Sequence, residues 1–305
     1  MSFEIRSELP GDEDALELVN CAAFGKMSEA CIVRLMREYS PAYNRRYSIT
    51  AWEDGEMVGH VLMTPARIRL LGATIKALAV GPVAVMPERQ RKGIGGRMLR
   101  YGHDLGRNDG FALAFLYGHP TYYPRYGYDP CFGTCKTIVN RDKLPEPAIP
   151  FVRRPVYPSD VPWIVERAAA EWDDVDFGWL WGESLNDWSV PFMNTLMWWT
   201  PDGRRAAYTV ARHASKHCEL MLADDPALAR EVIATLQPSS LGNHPGGWLA
   251  RNALDAVWAE PSAAHCEAAM AIELEHGILD PLRESLASGH RPPGIALYPL
   301  PFLAC

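Results

Sequence analysis

The sequence predicts an α/β (α+β) fold with a second, C-terminal α+β domain. Three observations support this prediction. Strand-like and helix-like patterns alternate over residues 1–145, a glycine-rich turn separates a strand from a helix near residue 90, and a proline-rich segment at residues 143–150 precedes a change in composition. Nine of the 10 tryptophans lie after residue 151. We therefore expect one domain over residues 1–145 and another over residues 151–305.

Local patterns place the elements of the first domain. Ser28 is a plausible N-cap for the second helix, and Gly110 suits the left-handed C-cap of the third. The turn at residues 53–56, Glu-Asp-Gly-Glu, is typical of a hairpin. Taken in order, the predicted elements are strand Phe3–Glu8, a helix from Asp12, helix Ser28–Tyr39, strands Tyr47–Trp52 and Met57–Arg67, strand Ile75–Met86, a helix ending near Gly110, and a buried strand Phe111–Tyr117.

Composition excludes several classes of protein. The chain has 305 residues, of which 48% are hydrophobic and 22% are charged, as in globular proteins. It contains no apolar run of about 18 residues and begins without a signal-peptide pattern, so we expect a cytoplasmic protein with no membrane segment. Its seven cysteines show no spacing typical of a disulfide framework. Cys131 and Cys135 are close in sequence, but no second pair of metal ligands accompanies them, so we expect reduced thiols and no metal.

The charge differs between the two halves. Residues 1–150 carry 19 basic and 17 acidic groups, whereas residues 151–305 carry 11 and 20, which together give the net charge of −7. An acidic second half argues against nucleic acid as a partner. It is compatible with a cationic amine as ligand, and equally with an ordinary solvated surface.

The segment Gln90-Arg91-Lys92-Gly93-Ile94-Gly95-Gly96 is the most informative motif. It follows a strand and opens a helix, whose first turn has unpaired N–H groups and a partial positive charge that attract an anion. Glycines without Cβ atoms let a diphosphate approach the backbone. A P-loop would need Gly-Lys-Ser/Thr at its end, and a dinucleotide fingerprint would need a small residue at Met98, so both of these motifs fit worse.

This motif, preceded by Val85-x-Pro87, resembles motif A of the GNAT-type N-acetyltransferases, and a second motif resembles the same family. Tyr123-Pro124-Arg125-Tyr126-Gly127-Tyr128 is similar to a pattern of the YhbS-like bacterial acetyltransferases. The resemblance covers about residues 3 to 145 and implies a mixed central sheet and the cosubstrate acetyl-CoA. It assigns cofactor contacts to Gln90, Arg91, Lys92, Gly93, Ile94, Gly95 and Gly96, and to the backbone of Val83, Ala84 and Val85.

The resemblance also implies catalytic roles. Tyr123 falls on the tyrosine that faces the cofactor sulfur, and a phenol with a pKa of about 10 can protonate a leaving thiolate. The general base is left open between His119, the terminal carboxylate of Cys305 and water. We expect direct attack by a primary amine of a small molecule or peptide in a ternary complex. A non-catalytic acyl-CoA sensor is the alternative.

The second half is predicted to contain both helices and strands. Ser159 or Asp160 is expected to cap a helix. The other predicted elements are strands Arg205–Ala211 and His217–Leu222, helix Pro226–Leu236, and strands Ala253–Ala259 and Gly294–Leu303. This order echoes the first half without a glycine-rich loop, which favours a degenerate second GNAT-like domain over an unrelated α+β cap. Its expected role is to close the acceptor pocket or to form a homo-oligomer.

Overall fold

The computed structural model describes residues 2–173, 175–189, 193–212 and 216–288. The first half contains β1 (Phe3–Ser7), α1 (Glu13–Phe24), α2 (Ser28–Tyr39), β2 (Ser48–Glu53), β3 (Glu56–Leu70), β4 (Ala73–Val85), α3 (Ile94–Asn108), β5 (Leu113–Tyr117), β6 (Asp129–Pro130) and β7 (Gly133–Val139). The second half contains β8 (Val152–Pro155), α4 (Val161–Glu171), β9 (Phe177–Leu180), α5 (Leu185–Trp188), β10 (Met193–Trp199), β11 (Arg205–Arg212), β12 (His217–Leu222), α6 (Pro226–Leu236), β13 (Ser240–Leu241), α7 (Trp248–Asn252), β14 (Ala259–His265), β15 (Ala269–Glu273) and α8 (Asp280–Ala287).

The first sheet has the strand order β1-β2-β3-β4-β5-β15-β6, with β9 added to the far end of β3. Neighbouring strands are antiparallel except β4 and β5, which are parallel. Strand β15 comes from the second half of the chain and pairs antiparallel with β5 and with β6. The sheet is therefore mixed, as expected, but it is completed by a strand from beyond the predicted domain boundary.

The second sheet repeats this plan. Its order is β8-β10-β11-β12-β13-β7-β14, and its one parallel pair, β12 with β13, occupies the position of β4 with β5. Strand β7, from the first half, lies where β15 lies in the first sheet. The two halves are thus two copies of one topology that have exchanged one strand each. The predicted domain boundary between residues 145 and 151 stays a prediction, because each sheet includes a strand from the opposite side of that boundary.

A local motif repeats with the topology. At the end of β1, Arg6 donates from Nη1 and Nη2 to the carboxylate of Asp12, at 2.6 and 3.0 Å. At the end of β8, Arg154 donates to Asp160 through the same atoms at the same two distances. Each carboxylate also accepts from a backbone N–H three residues earlier, that of Leu9 or Tyr157. This shared geometry supports the interpretation of the second half as a degenerate copy of the first.

The first sheet buries both of its faces. Helix α3 covers one face, where Met98 and Leu99 pack in a core with Leu78 and Val80. Helices α1 and α2 cover part of the opposite face, and the segment after α4 covers the rest with Phe177 and Trp179. Burial on both faces explains why β3 to β5 are apolar along most of their length.

Most predicted elements are confirmed close to their predicted bounds, including the hairpin turn, where Asp54 and Gly55 have φ values of 52° and 86°. Gly110 has φ 73°, as its left-handed cap requires. Two predictions are wrong. Met27 takes the N-cap position of α2, so Ser28 is already helical and bonds to Glu29.

The predicted strand Ala253–Ala259 is the other error. Asp255 accepts backbone hydrogen bonds from Val257, Trp258 and Ala259, which forms a turn, and β14 begins only at Ala259. An aspartate that binds the backbone locally competes with strand pairing. The predicted strand Gly294–Leu303 lies outside the described residues.

The buried carboxylate of Asp160 predicts a pH-dependent contribution to stability. Burial opposes its ionisation, but the hydrogen bonds from Arg154 and Tyr157 outweigh burial and lower the pKa of Asp160. A lowered folded-state pKa stabilises the fold above the unfolded value of about 3.9 and ceases to do so as pH falls through the folded value. Asp160→Asn should therefore reduce the free energy of unfolding by about 2 kcal/mol at pH 7 and by less near pH 3, below the unfolded pKa.

Urea unfolding at both pH values measures this difference. The control is Asp104→Asn, which removes an exposed carboxylate paired with Arg107 and should change stability by less than about 1 kcal/mol. An equal loss at both pH values in Asp160→Asn would contradict the prediction.

The strand exchange predicts that the halves depend on each other. A fragment of residues 1–150 lacks β15 and should aggregate, because β5 and β6 would expose unpaired edges. Co-expression with residues 151–305 should yield a soluble complex on size-exclusion chromatography. The same co-expression with Ala271→Pro should fail, since Ala271 lies between Phe115 and Asp129 in the ladder. A soluble, folded monomer of residues 1–150 would refute the interpretation.

Candidate active site

The parallel strands β4 and β5 form a fork. Their pairing ends at Ala79 opposite Phe115, although β4 continues to Val85 and β5 to Tyr117. Just beyond this point β4 carries one additional residue, because Val61 of β3 faces Val83 whereas Met63 faces Val80. On the side that faces β5, no described strand pairs with Val83, Ala84 or Val85. Backbone groups at this edge of β4 can therefore bind a ligand that enters the fork.

The glycine-rich turn continues from β4. Gln90 donates from Nε2 to the carbonyl of Val85 at 3.1 Å, which fastens the turn to the strand end. Arg91 and Gly93 have φ values of 62° and 79°, so the backbone turns sharply before α3 begins at Ile94. No side chain caps the N-terminus of α3. Its first N–H groups therefore face the turn without a side-chain acceptor.

The three glycines serve different purposes. Gly93 has open space around it and a positive φ. A Cβ on Gly95 would lie 2.5 Å from Oη of Tyr122, and one on Gly96 would lie 2.0 Å from Cε1 of Tyr126. Gly95 and Gly96 are thus required by the tyrosines that pack on the first turn of α3. The sequence prediction that these glycines admit a diphosphate gave no sign of this contact.

The basic residues near the turn divide into two groups. Arg89 pairs with Glu53 at 2.5 Å, and Arg97 and Arg100 lie over the rings of Phe3 and Tyr126. Arg91 and Lys92 are exposed, and within the described ranges neither forms an ion pair. These two cations are therefore available to an anion at the turn.

A tyrosine cluster lies on the α3 side of the sheet, in the same core as Val83 and Val85. Tyr123 begins a short 3-10 turn, and its ring packs edge-on against Tyr122 and Tyr128, with centroids 5.0 and 5.7 Å apart. Tyr128 is fully buried and its hydroxyl bonds to Nε2 of His103 at 2.8 Å. Burial and a hydrogen bond with Tyr126 raise the pKa of Tyr122, so that phenol stays protonated. The structure brings Tyr123 and the glycine turn together through Tyr122, which contacts both.

His119 lies in the loop that leaves β5. Its side chain is exposed, and its backbone carbonyl accepts hydrogen bonds from the N–H groups of Tyr122 and Tyr123. The main-chain role of His119 is therefore to shape the tyrosine turn, and its assignment as general base stays a prediction. Cys305, the other predicted candidate, lies outside the described residues.

The thiols of Cys131, in the core with Phe115, and of Cys135, on β7 of the second sheet, are poorly reactive. Burial raises the pKa of Cys131 and of Cys135 to about 12 in each case. A thiol with so high a pKa is rarely a thiolate at neutral pH, so it is a poor nucleophile.

Among the described residues, no group of three or more His, Cys, Asp or Glu could hold a metal ion. No helix among these residues is long and apolar enough to cross a membrane.

On the opposite face of the sheet, a cavity of about 970 Å³ lies between the two halves. One wall comes from the end of α2, with Met36 and Tyr39, and another from the segment after β9, with Trp181. Other tryptophans of the second half, Trp172, Trp188 and Trp198, are buried in its core.

In the described part of the second copy, side chains of the chain itself occupy the positions that correspond to the turn and the fork. Between β12 and α6, Asp225 accepts hydrogen bonds from the N–H groups of Ala227 and Leu228 at 2.8 and 3.1 Å. Pro226 removes a further N–H from this helix start. A carboxylate thus already occupies the N-terminus where the first copy is uncapped, and it would repel an anion.

The second fork is closed in a similar way. Asn243, just after β13, accepts from the N–H of Met221 at 2.9 Å and donates to its carbonyl at 2.8 Å. It also donates to the buried carboxylate of Glu171, whose pKa burial raises to about 7 despite that bond. These contacts could not be foreseen from the sequence, although the missing glycine turn signalled the loss of the site.

Comparisons with known proteins agree with this geometry. Residues 7–131 match the family model described as an acetyltransferase (GNAT) domain. Over 122 residues the chain is 37% identical to an uncharacterized N-acetyltransferase, YjhQ, of Escherichia coli, covering 40% of this chain and 67% of that one.

Two solved structures share the fold over most of the chain. A probable N-acyltransferase of unknown function from Enterococcus faecalis is 13% identical, covers 92% of this chain and 74% of that one, and has a TM-score of 0.70. A GCN5-related N-acetyltransferase from Kribbella flavida is 15% identical, covers 88% and 70%, and has a TM-score of 0.67. On the strength of its first half, the chain belongs to the GNAT family and is an N-acetyltransferase.

Proposed function

We propose that the protein transfers the acetyl group of acetyl-CoA to a primary amine by direct attack in a ternary complex. One observation carries this proposal: the fork between β4 and β5 leads into an uncapped helix N-terminus with a glycine-rich turn. A forked sheet edge suits the amide-bearing arm of the cosubstrate, and the helix start suits its pyrophosphate.

The residues of the turn would bind the phosphates. The N–H groups of Gly93, Ile94, Gly95 and Gly96 lie at or before the first turn of α3, where the helix dipole favours negative charge. Arg91 and Lys92 supply two exposed cations beside them. Gln90 holds the turn against Val85, so the N–H groups are fixed before the ligand arrives. In the described part of the second copy, Asp225 and Pro226 take up the start of α6 and no basic residue lies between β12 and α6, which supports one cofactor per chain.

The reaction requires three functions near the fork. An N–H at the free edge of β4, over Val83 to Val85, can stabilise the oxyanion that forms on the thioester carbonyl, a contribution of about 3 kcal/mol. As the carbon–nitrogen bond forms and the carbon–sulfur bond breaks, Tyr123 donates its proton to the leaving thiolate. The ammonium proton leaves to His119, to the terminal carboxylate of Cys305 or to water. The buried, protonated thiol of Cys131 favours direct attack over an acyl-enzyme.

The cations of the turn provide the first test of cofactor binding. Replacing both, Arg91→Glu with Lys92→Glu, should weaken acetyl-CoA binding by at least about tenfold, since charged hydrogen bonds contribute about 1.5–3 kcal/mol each. Both side chains are exposed, so the fold should survive. Thermal unfolding with acetyl-CoA measures the effect, because ligand at 100 times its Kd adds about 2.7 kcal/mol to wild-type stability.

The matched control is Lys136→Glu with Arg141→Glu, which reverses two exposed charges away from the turn. This control should retain the full stabilisation by acetyl-CoA. Equal stabilisation of all three proteins would show that the ligand binds elsewhere. No stabilisation of the wild type would remove acetyl-CoA from the proposal.

Tyr123 provides the test of chemistry. Tyr123→Phe keeps the ring that packs against Tyr122 and Tyr128 but removes the proton donor, so kcat should fall about 100-fold while acetyl-CoA binding is unchanged. Tyr122→Phe is the matched control, and its kcat should remain within about threefold of wild type. Full activity in Tyr123→Phe, or an equal loss in both variants, would contradict the assigned role.

A further inference from the structure

The large cavity lies at an interruption in the first sheet. Strand β2 pairs with β3 up to Leu62, and β9 pairs with β3 from Arg67 onwards. Between them, Thr64, Pro65 and Ala66 of β3 line the cavity. We call this space the gap cavity. Its volume of about 970 Å³ is at the upper end of the usual range for small-molecule sites.

Two stacked indoles form one wall of the gap cavity. The rings of Trp179 and Trp181 lie 4.7 Å apart with planes at 7°. Trp179 is almost fully buried, whereas Trp181 is half-buried, and both line the cavity. The facing wall is also apolar, with Leu35, Met36 and Leu62. A flat ring gains from stacking or edge contact with such a surface, and a flexible polar chain does not.

The aromatic wall extends to the fork. Trp179 packs edge-on against Phe115, with centroids 5.6 Å apart and planes at 82°. Phe115 is the last residue of β5 in register with β4, where it faces Ala79. Thr64, on the floor of the cavity, pairs with that same Ala79. Through Phe115 and Ala79, the cavity wall contacts the last residue pair that joins β4 to β5, so a ligand in the gap cavity lies one strand away from the fork, on the opposite face of the sheet from α3.

The charges around the gap cavity do not form a site for a polycation. Asp109 is bound by Arg46 at 2.6 Å and by the hydroxyl of Tyr47 at 2.5 Å. Asp187 accepts the N–H of Ser184 at 3.0 Å. Arg67 and Lys76 add positive charge to the lining. Within the described ranges, the exposed carboxylate of Glu183 forms no ion pair, so one acidic group is available for a single ammonium.

We propose that the gap cavity binds the acceptor and selects amines that carry one primary amino group on a flat, apolar body. This inference rests on the proposed acetyl transfer for its reaction, but the binding step is independent of it. The specific prediction is a preference for an aryl-alkylamine over a polyamine.

The experiment compares tryptamine with spermidine as probes. Isothermal titration without cosubstrate measures their binding, and steady-state assays with saturating acetyl-CoA measure kcat/KM. Wild type should bind and acetylate tryptamine in preference. Trp181→Ala should weaken tryptamine binding and lower kcat/KM about tenfold, whereas Trp181→Phe, which keeps a flat ring, should stay within about threefold. Tyr39→Ala, at an exposed side chain on the other wall, gives a second test at lower risk to folding and should also weaken binding.

Trp163→Phe is the control for loss of an indole, because Trp163 bonds to Asp224 outside the cavity. Its tryptamine binding should equal that of wild type. Preference for spermidine, or tryptamine binding unchanged in both Trp181→Ala and Tyr39→Ala, would overturn this inference and leave acetyl transfer standing. Tryptamine binding that depends on Trp181, without any acetylation, would support the cavity and count against the proposed reaction.

Discussion

The pairing of β15 with β5 is the constraint on which the fork depends. Strand β5 is in register with β4 only as far as Phe115, so its last residues need support on the other edge. Strand β15 supports β5 by pairing with it along its whole length, from Glu273 opposite Leu113 to Ala269 opposite Tyr117. Because β15 belongs to the second half, the geometry of the fork and the start of the tyrosine loop require the second half to be folded. A separate catalytic domain with an appended cap would not have this dependence.

The two copies show how one topology gains or loses a ligand site through a few side chains. In the first copy the N-terminus of α3 is uncapped and the free edge of β4 faces the fork. In the second copy Asp225 binds the helix start and Asn243 binds both backbone groups of Met221. An internal group is always present at its site, so a free ligand would have to displace it. The N–H groups left free in the first copy lower its stability slightly and make binding possible.

The sequence predicted what depends on local patterns. The turn from Gln90 to Gly96 and the position of Tyr123 followed from spacing and resemblance, and the strands followed from periodicity. Periodicity cannot say which sheet a strand joins, so the exchange of β7 and β15 could not be predicted. The pattern at Ala253–Ala259 was equally apolar, but Asp255 turns the chain there. Trp181 could not be told from a core tryptophan, because its exposure depends on a gap between strands that are distant in sequence.

The glycine turn and the fork come from a different part of the chain than the indole wall of the gap cavity. The family match ends at residue 131, after the glycine turn, the fork and Tyr123. The aromatic wall of the gap cavity, Trp179 and Trp181, lies beyond it, in the second half. Relatives that share only the first half therefore match one wall of the cavity, with Leu35, Met36 and Leu62, but not its indole wall. If the cavity binds the acceptor as proposed, substitutions at Trp179 and Trp181 would change the choice of acceptor and leave the turn from Gln90 to Gly96 unaltered. The acceptor must accordingly be sought from the chemistry of this chain's own cavity.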